Sequence, residues 1–295
     1  MDQVYDLVII GSGPAAMSAA IYAARDKKSP LVLERGNMGG LASTISKIEN
    51  YPGFTGTGAE LMQTMRKQAE SFGARFSYGE VTKISQEEGL LNLEIDSDER
   101  VKVRAALVAT GTERVKLDIP GEDLPGVSYC ATCDGPLMRG QDVLVIGGGN
   151  SAVQEAFYLL QFCDRATLLV RSELRCDDTL KERLAAESRI SVIKGIIPTE
   201  IQKQGEELCV LAENGGKYTA HNIFVFIGQR PATAFLPAEL LAEDGSVKTD
   251  DRYMSAMSGL FVAGDCRNGS THQVVTAAGE GAAAAVAIRK YLETA

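Results

Sequence analysis

Three short motifs hold the residue types that can do chemistry in this chain. Two of them are rich in glycine: residues 11–16 read Gly-Ser-Gly-Pro-Ala-Ala, and residues 147–152 read Gly-Gly-Gly-Asn-Ser-Ala. Glycines at this spacing let the backbone approach the pyrophosphate of a dinucleotide. The third motif, Cys-Ala-Thr-Cys-Asp at residues 130–134, lies between them and can hold two electrons as a disulfide. Together they predict electron transfer between a nucleotide cofactor and a disulfide.

The first glycine motif has the surroundings of a nucleotide site. Gly11 permits a tight turn, Gly13 lets the backbone approach a pyrophosphate, and Ala16 allows a helix to pack closely on a strand. A helix that starts here presents free N–H groups to an anion. Glu34 follows 23 residues after Gly11, where an acid can bind a ribose. A glycine motif of this kind can also be a plain structural turn, but the strand, helix and acid together favour nucleotide binding.

The cysteine pair is the second source of chemistry. Of six cysteines only Cys130 and Cys133 form a CxxC; a zinc site needs more ligands than the two histidines of the chain supply, so we expect no metal. Two cysteines this close can reach disulfide geometry, with Cα atoms roughly 4.4–6.8 Å apart. The arrangement can also lower the pKa of one thiol and make it nucleophilic. Asp134 is a candidate for proton transfer or a turn-forming residue before Gly135, and both roles stay open.

The second glycine motif keeps a pyrophosphate cradle in Gly147, Gly149 and Ala152. The next strand is followed by Val-Arg-Ser-Glu-Leu-Arg at residues 170–175, which leaves Arg171 and Arg175 as clamps for a 2′-phosphate. No acid stands directly at the strand end to select a free ribose. The sequence therefore predicts a second dinucleotide site without an assured preference for NADPH.

Hydrophobic runs predict the elements that position these motifs. Buried strands are expected at residues 5–10, 31–34, 105–111, 142–147, 165–170, 222–228 and 260–265, with a hairpin or meander at 90–95 and 100–104 and helices at 14–27, 151–162 and 274–292. The strand–glycine–helix unit occurs twice. We therefore predict an α/β protein with two Rossmann-like, three-layer nucleotide-binding domains, the second inserted into the first. The expected boundaries are 1–115 with 246–295, and 116–245.

Composition excludes some partners. The 295 residues carry a net charge of −9, which argues against nucleic acid and against anionic membrane surfaces. No stretch approaches the roughly 20 apolar residues of a membrane span, and the N-terminus shows no secretory signal. A cytoplasmic setting is expected.

The motifs, taken in order, resemble those of a known family. Besides the three described above, residues 49–53 read Glu-Asn-Tyr-Pro-Gly, residues 109–111 read Ala-Thr-Gly, and residues 264–265 read Gly-Asp. Over nearly its whole length the chain resembles the low-molecular-weight thioredoxin reductases. The resemblance implies an FAD domain formed by both ends of the chain and an inserted nucleotide domain that carries the cysteine pair. It also implies a homodimer, a thioredoxin-like partner and rotation of the domains during turnover.

The resemblance assigns roles residue by residue. It implies that Cys133 faces the flavin, Cys130 attacks the partner disulfide and Asp134 transfers a proton. Candidate FAD-binding residues are Gly11, Ser12, Gly13, Pro14, Ala15, Glu34, Arg35, Gly40, Asn50, Thr110, Gly111, Gly264, Asp265, His272, Gln273 and Val274. The second nucleotide site comprises Gly147, Gly149, Asn150, Ser151, Ala152, Arg171 and Arg175. The chain departs from the family at Leu41, usually a glutamine, and at residues 170–172, where members that use NADPH usually have His-Arg-Arg.

Three functional hypotheses follow. The first is a thioredoxin reductase in which NADPH or NADH reduces FAD and then the cysteine pair. The second keeps this disulfide chemistry but takes electrons from a ferredoxin or another flavin, with a different dinucleotide, even a second FAD, in the second site. The third is a flavin-binding regulatory protein without turnover, for which a CxxC followed by an acid has no use.

Overall fold

The computed structural model describes residues 4–45, 47–96 and 99–294. The chain forms two compact units: Met1–Glu113 with Arg230–Ala295, and Arg114–Gln229. The chain enters the inserted unit at residue 114, within two residues of the expected 116. It returns to the first unit at residue 230, earlier than the expected 246. Residues 230–245 belong to the first unit because Leu236 and Leu240 are buried in its core and Ala232 hydrogen-bonds to Gly111.

Before the insertion the first unit contains nine strands and two helices within the described residues. These are β1 (Val4–Ile10), α1 (Pro14–Arg25), β2 (Leu31–Glu34), β3 (Ile48–Tyr51), β4 (Phe54–Gly56), α2 (Gly58–Ser71), β5 (Arg75–Tyr78), β6 (Val81–Glu87), β7 (Leu90–Ile95), β8 (Glu99–Val108) and β9 (Thr112–Arg114). The inserted unit contains β10 (Val127–Ser128), α3 (Ala131–Asp134), β11 (Asp142–Ile146), α4 (Asn150–Leu159), β12 (Arg165–Val170), α5 (Asp178–Ala186), β13 (Ile190–Lys194), β14 (Pro198–Gln204), β15 (Glu207–Ala212), β16 (Lys217–Ala220) and β17 (Asn222–Val225). The chain then returns through β18 (Gln229–Pro231), β19 (Leu260–Val262) and α6 (Val274–Thr294).

The sheet of the first unit has the order β5-β2-β1-β8-β7-β6, and β19 also pairs with β8. β8 replaces the separate hairpin strand and buried strand expected over residues 100–111. One edge of β8 pairs in parallel with β1. The other edge pairs first with β7, antiparallel, and then with β19, in parallel. β8 has ten residues, which is long enough to pair with both strands. At Ala105 the sequence changes from alternating polar and apolar residues to a continuous apolar run. This change marks the point where the neighbouring strand changes from β7 to β19, not a turn.

Alternation along β1 places apolar side chains on both faces of this sheet. Leu7 and Ile9 pack with the alanines of α1 and with α6. Val8 and Ile10 pack in a second cluster with side chains of β6 and β7. The sheet is therefore buried on both faces, as expected for parallel strands.

The inserted unit also contains a parallel sheet that is buried on both faces. Five parallel strands have the order β10-β17-β11-β12-β13, and a separate antiparallel sheet has the order β14-β15-β16. Along β11, Val143 and Val145 pack towards α4, whereas Leu144 and Ile146 pack in the cluster that contains the β14–β16 side chains. Among the described residues, no helix is long and apolar enough to cross a membrane.

Candidate functional site

The first glycine motif forms the turn between β1 and α1. Gly11 has φ +99°, and a Cβ there would lie 2.5 Å from the Ala109 carbonyl oxygen, so only glycine fits. Gly13 precedes the first helical residue, Pro14, and a Cβ at Gly13 would meet no atom within 4 Å. The start of α1 is thus open in front of Gly13, as the approach of a pyrophosphate requires. Ala15 is buried behind it.

Ser12 and Glu34 join the two strand ends beside this turn. The Ser12 hydroxyl donates to the Glu34 carboxylate at 2.6 Å and accepts the Gly39 N–H at 2.9 Å. The other carboxylate oxygen of Glu34 accepts the Gly36 N–H at 2.8 Å. The next residue, Gly40, lies close to Gly13: a Cβ on Gly40 would be 3.6 Å from the Gly13 Cα. The network fixes the acid predicted to bind a ribose.

A cavity of about 300 Å³ opens at the carboxyl ends of β1 and β2, where ligands of parallel sheets bind. Glu34, Arg35 and Thr110 line it. The Arg35 guanidinium hydrogen-bonds to Glu113 at 2.8 Å and to Glu80 at 3.1 Å, and the Glu113 bond is the main cause of a raised Arg35 pKa. Arg35, a candidate FAD-binding residue, therefore lines the cavity with its charge already paired.

Asp265 follows β19 at the start of the loop that leads to α6. Its Oδ1 atom is buried and has no hydrogen-bond partner among the residues that the structure describes, and burial raises the pKa of the carboxyl group. The preceding residue, Gly264, donates its N–H at 2.8 Å to Glu280 of α6. Arg267 also binds Glu280, at 2.7 Å and 3.1 Å. The half-buried Arg267–Glu280 ion pair thus fixes the backbone at Gly264, and the next residue, Asp265, presents an unused acceptor.

The remaining candidates lie on two further segments. Asn50 donates to Gln273 at 3.0 Å, which ties the β3–β4 segment to the residue before α6. Gln273 is flanked by His272 and by Val274, the first residue of α6. Thr110 donates to the Ala232 carbonyl at 2.8 Å, and Gly111 follows it with φ +62°. Leu41 lies in the 3₁₀ turn Gly40–Thr44.

The cysteine pair is a disulfide. The Cys130 and Cys133 sulfurs are bonded, and their Cα atoms are 5.3 Å apart. Cys133 is exposed and Cys130 is half-buried, so the bond is open to attack. The Cys133 N–H donates to the Cys130 sulfur at 3.2 Å, and the Asp134 carboxylate accepts the Ser128 hydroxyl at 2.5 Å. The predicted pair and the predicted acid are therefore adjacent.

The second glycine motif has the same geometry as the first. A Cβ at Gly147 would lie 2.2 Å from the Phe226 carbonyl oxygen, whereas a Cβ at Gly149 would meet nothing within 4 Å. Ala152 is fully buried, and Ser151 is exposed on the first turn of α4. Asn150 and Asp177 bond reciprocally, since the Asn150 amide donates to the carboxylate at 2.7 Å and accepts the Asp177 N–H at 2.8 Å.

The loop after β12 lies against this cradle. The Arg175 N–H donates to the Gly148 carbonyl at 2.7 Å. The side chains of Arg171 and Arg175 are exposed, and neither forms an ion pair in the described part of the chain. Lys194, the last residue of the neighbouring strand β13, is instead paired with Glu173. The backbone of Arg175 therefore lies at the cradle, and among the described residues the exposed charges of Arg171 and Arg175 have no ion-pair partner.

The first unit fits FAD. The open start of α1 at Gly13 suits the pyrophosphate, Glu34 stands at the strand end where a ribose binds, and the orphaned Asp265 oxygen requires a hydroxyl donor such as a ribitol supplies. An unpaired buried acceptor is costly in a folded protein, so a ligand that satisfies it is stabilising.

Comparison with known proteins agrees with this geometry. The chain belongs to the pyridine nucleotide-disulphide oxidoreductase family, which matches residues 5–281. Thioredoxin reductase of Bacillus subtilis is 35% identical over 99% of this chain and 96% of its own length. Thioredoxin reductase of Treponema pallidum is 36% identical over 100% and 99%.

Solved structures give the same result. The crystal structure of Lactococcus lactis thioredoxin reductase has 37% identity and a TM-score of 0.89, and covers 99% of this chain and 100% of its own. That of the T. acidophilum enzyme has 29% identity and a TM-score of 0.86, over 98% and 99%. The chain resembles low-molecular-weight thioredoxin reductases and is a flavin-dependent disulfide oxidoreductase.

Three partners in the site carry no signal in the sequence. Ser128, Asp177 and Glu280 are common residue types outside the glycine and cysteine motifs. Each takes part through a side-chain contact: Asp177 with Asn150 and Glu280 with Gly264 over 27 and 16 residues, and Ser128 with Asp134 over six. Spacing along the chain could not indicate them.

Proposed function

We propose that this enzyme takes electrons from a reduced pyridine nucleotide and reduces a disulfide of a thioredoxin-like protein. The observation that carries the proposal is the accessible Cys130–Cys133 disulfide, followed directly by Asp134, in a chain with two open glycine cradles. The relatives named thioredoxin reductase support the choice of partner. By the same resemblance we propose that the enzyme is a homodimer, which light scattering after gel filtration would test.

Each group has a separate task. Bound FAD supplies two-electron transfer between a nicotinamide and a disulfide. The start of α1 at Gly13 would hold its pyrophosphate, and Asp265 would accept a ribitol hydroxyl. Once the pair is reduced, the Cys130 thiolate attacks the partner disulfide, and the Cys133 thiol resolves the mixed disulfide. Asp134 carries the proton that the leaving thiolate needs.

The second site determines the electron donor. We propose that NADPH has no advantage over NADH here. Arg171 and Arg175 are the two cations that face a 2′-phosphate, and Ser172 offers no bidentate contact. One missing charge-assisted contact is worth roughly 1.5–3 kcal/mol, about one to two decades in affinity.

A second candidate donor follows from the same site. Asp177 places a carboxylate on Asn150 at the start of α4, where a pyrophosphate would bind. Negative charge there disfavours an anionic ligand. If reduced pyridine nucleotides do not act, this charge favours a ferredoxin as the donor. A second FAD in the cradle is the remaining alternative, although its pyrophosphate would meet the same charge.

Anaerobic mixing with NADPH and with NADH, followed by flavin absorbance, separates these donors. We expect bleaching by both nucleotides, with NADH at least as effective. A strong preference for NADPH at low-micromolar concentration would contradict the specificity argument. If neither nucleotide bleaches the flavin, the donor is a ferredoxin or a second FAD. The amount of flavin released by denaturation then distinguishes the two: two FAD per chain indicate a second flavin, and one FAD per chain indicates a protein donor. Release of FMN instead of FAD would contradict the proposal that the first unit binds FAD.

A further inference from the structure

Ser128 lies directly beneath the redox-active segment. It is 7% exposed and belongs to β10, which pairs in parallel with β17 so that Ser128 stands opposite the fully buried Phe224. The sheet therefore fixes the position of this hydroxyl, whereas α3, which carries Cys133 and Asp134, is only four residues long.

The Ser128 hydroxyl links the attacking cysteine with the acid. It accepts the N–H of Cys130 at 3.0 Å and donates to the Asp134 carboxylate at 2.5 Å, with the Cys130 carbonyl as a longer acceptor at 3.3 Å. The Asp134 N–H also donates to that carbonyl, at 3.2 Å. Because both groups depend on one buried hydroxyl, the carboxylate is held at a fixed place relative to Cys130.

We propose that Ser128 is the positioning residue that holds Asp134 where it protonates the leaving thiolate. The inference rests on the proposed function, in which Cys130 attacks and Asp134 transfers the proton. Proton transfer requires the acid within hydrogen-bond reach of the departing atom, so a freely rotating carboxyl would act less often. Loss of one hydrogen bond to a charged group corresponds to roughly a tenfold change.

The step balances as follows. The Cys130 thiolate attacks one substrate sulfur, the Cys130–substrate bond forms and the substrate disulfide breaks. The departing thiolate takes the proton of the Asp134 carboxyl. The Cys133 thiol then gives its proton to the Asp134 carboxylate and attacks the Cys130 sulfur, which restores the enzyme disulfide and releases the second thiolate. That thiolate takes the same proton, so each cycle oxidises one dithiol, reduces one disulfide and consumes one solvent proton.

Two small disulfides separate positioning of an acid from a structural role. Hydroxyethyl disulfide releases a weakly acidic alkyl thiol that needs a proton on departure, whereas 5,5′-dithiobis(2-nitrobenzoate) releases a stable aromatic thiolate that does not. The flavin-loaded enzyme is reduced with dithiothreitol, freed of reductant and mixed with each probe. The loss of alkylatable Cys130 and Cys133 is followed by mass spectrometry.

We expect Ser128→Ala to slow exchange with hydroxyethyl disulfide roughly tenfold and to leave exchange with the aromatic probe unchanged. Asp134→Asn should slow the alkyl exchange at least as much, and adding Ser128→Ala to it should change nothing further. Ser128→Thr and Ser128→Val give side chains of the same shape, of which only threonine has a hydroxyl. We expect Ser128→Thr to keep the rate of exchange with hydroxyethyl disulfide and Ser128→Val to lose it. Ser246→Ala is the control, because this buried hydroxyl also donates to a carboxylate at 2.5 Å, in the other unit.

Equal slowing with both probes, or additive effects of Ser128→Ala and Asp134→Asn, would overturn the inference, since Ser128 would then act through the scaffold. Asp134→Asn with normal alkyl exchange would overturn the proton-transfer role in the proposed function as well. Normal exchange in Ser128→Ala beside slow exchange in Asp134→Asn would overturn the inference alone.

Discussion

At the scale of single residues, Ser172 is the position at which nucleotide preference can be changed. Ser172 is exposed in the loop that lies against the Gly148 cradle, between Arg171 and Arg175, which form no ion pair within the described ranges. We expect Ser172→Arg to lower the KM for NADPH by roughly one to two decades, because an added guanidinium can bind a 2′-phosphate bidentately. The KM for NADH should stay unchanged. Steady-state kinetics with both nucleotides measures the effect.

The control for this substitution is Ser188→Arg. Ser188 is also exposed, but it precedes β13 and so lies near the amino-terminal ends of the parallel strands, whereas Ser172 follows the carboxyl-terminal end of β12. The same charge there should leave both KM values unchanged. An equal gain for NADPH in the two variants would show that net charge, rather than a phosphate clamp, is responsible.

Glu280 is a buried residue of the first unit whose protonation is expected to couple stability to pH. Burial alone would raise its pKa, but hydrogen bonds from Arg267, Gly264 and Ser270 outweigh burial and leave the pKa below the ordinary 4.5. A carboxyl with a lowered pKa stabilises the fold above its unfolded pKa and loses this contribution as the pH falls through the folded value.

We therefore expect Glu280→Gln to lose about 2 kcal/mol of unfolding free energy near neutral pH, because a buried charge-assisted network is broken. The gap from the unsubstituted protein should close as the pH falls below about 4. Urea unfolding of the flavin-free protein, followed by circular dichroism, measures both. Glu293→Gln, on the exposed part of the same helix, should cost under about 0.5 kcal/mol. A gap that persists undiminished in acid would contradict the assignment.

At the scale of elements, the contact of α6 with α1 depends on Gly281. A Cβ on Gly281 would lie 2.0 Å from the Ala15 carbonyl oxygen, whereas a Cβ on Gly279, in the same helix, would meet nothing within 4 Å. We expect Gly281→Ala to cost roughly 1–3 kcal/mol and to weaken FAD binding, because α1 begins at the cradle. Gly279→Ala should be neutral or stabilise by up to about 1 kcal/mol. Thermal unfolding and FAD titration test both, and similar behaviour of the two variants would refute this packing.

The elements also show what the sequence could predict. Glycine spacing and buried runs indicated β1, α1, β11, α4 and β12, because those signals are local. The double pairing of β8 could not be predicted, since which strand lies beside it depends on residues far away in the chain. The same holds for Ser128, whose contact with Asp134 requires the β10–β17 pairing.

At the scale of the whole molecule, each unit has its own sheet and its own core. The two core clusters that flank β11 contain residues of the inserted unit only. We expect residues 114–229, expressed alone, to fold with the Cys130–Cys133 disulfide and without flavin. Residues 1–113 and 230–295 should bind FAD when joined by a short glycine-rich linker, because Arg230 lies 2.8 Å from Glu113. Circular dichroism and flavin absorbance of the two products test this, and flavin in the inserted unit would contradict it.

The most direct test of the central claim follows electrons to the cysteine pair. The bound flavin is reduced photochemically without oxygen, and the protein is quenched with iodoacetamide and mapped by mass spectrometry. We predict that Cys130 and Cys133 are alkylated together in the flavin-loaded protein but not in the flavin-free protein. The buried Cys163, Cys176, Cys209 and Cys266 should remain unlabelled in both. A disulfide that stays intact while the flavin is fully reduced would contradict the account.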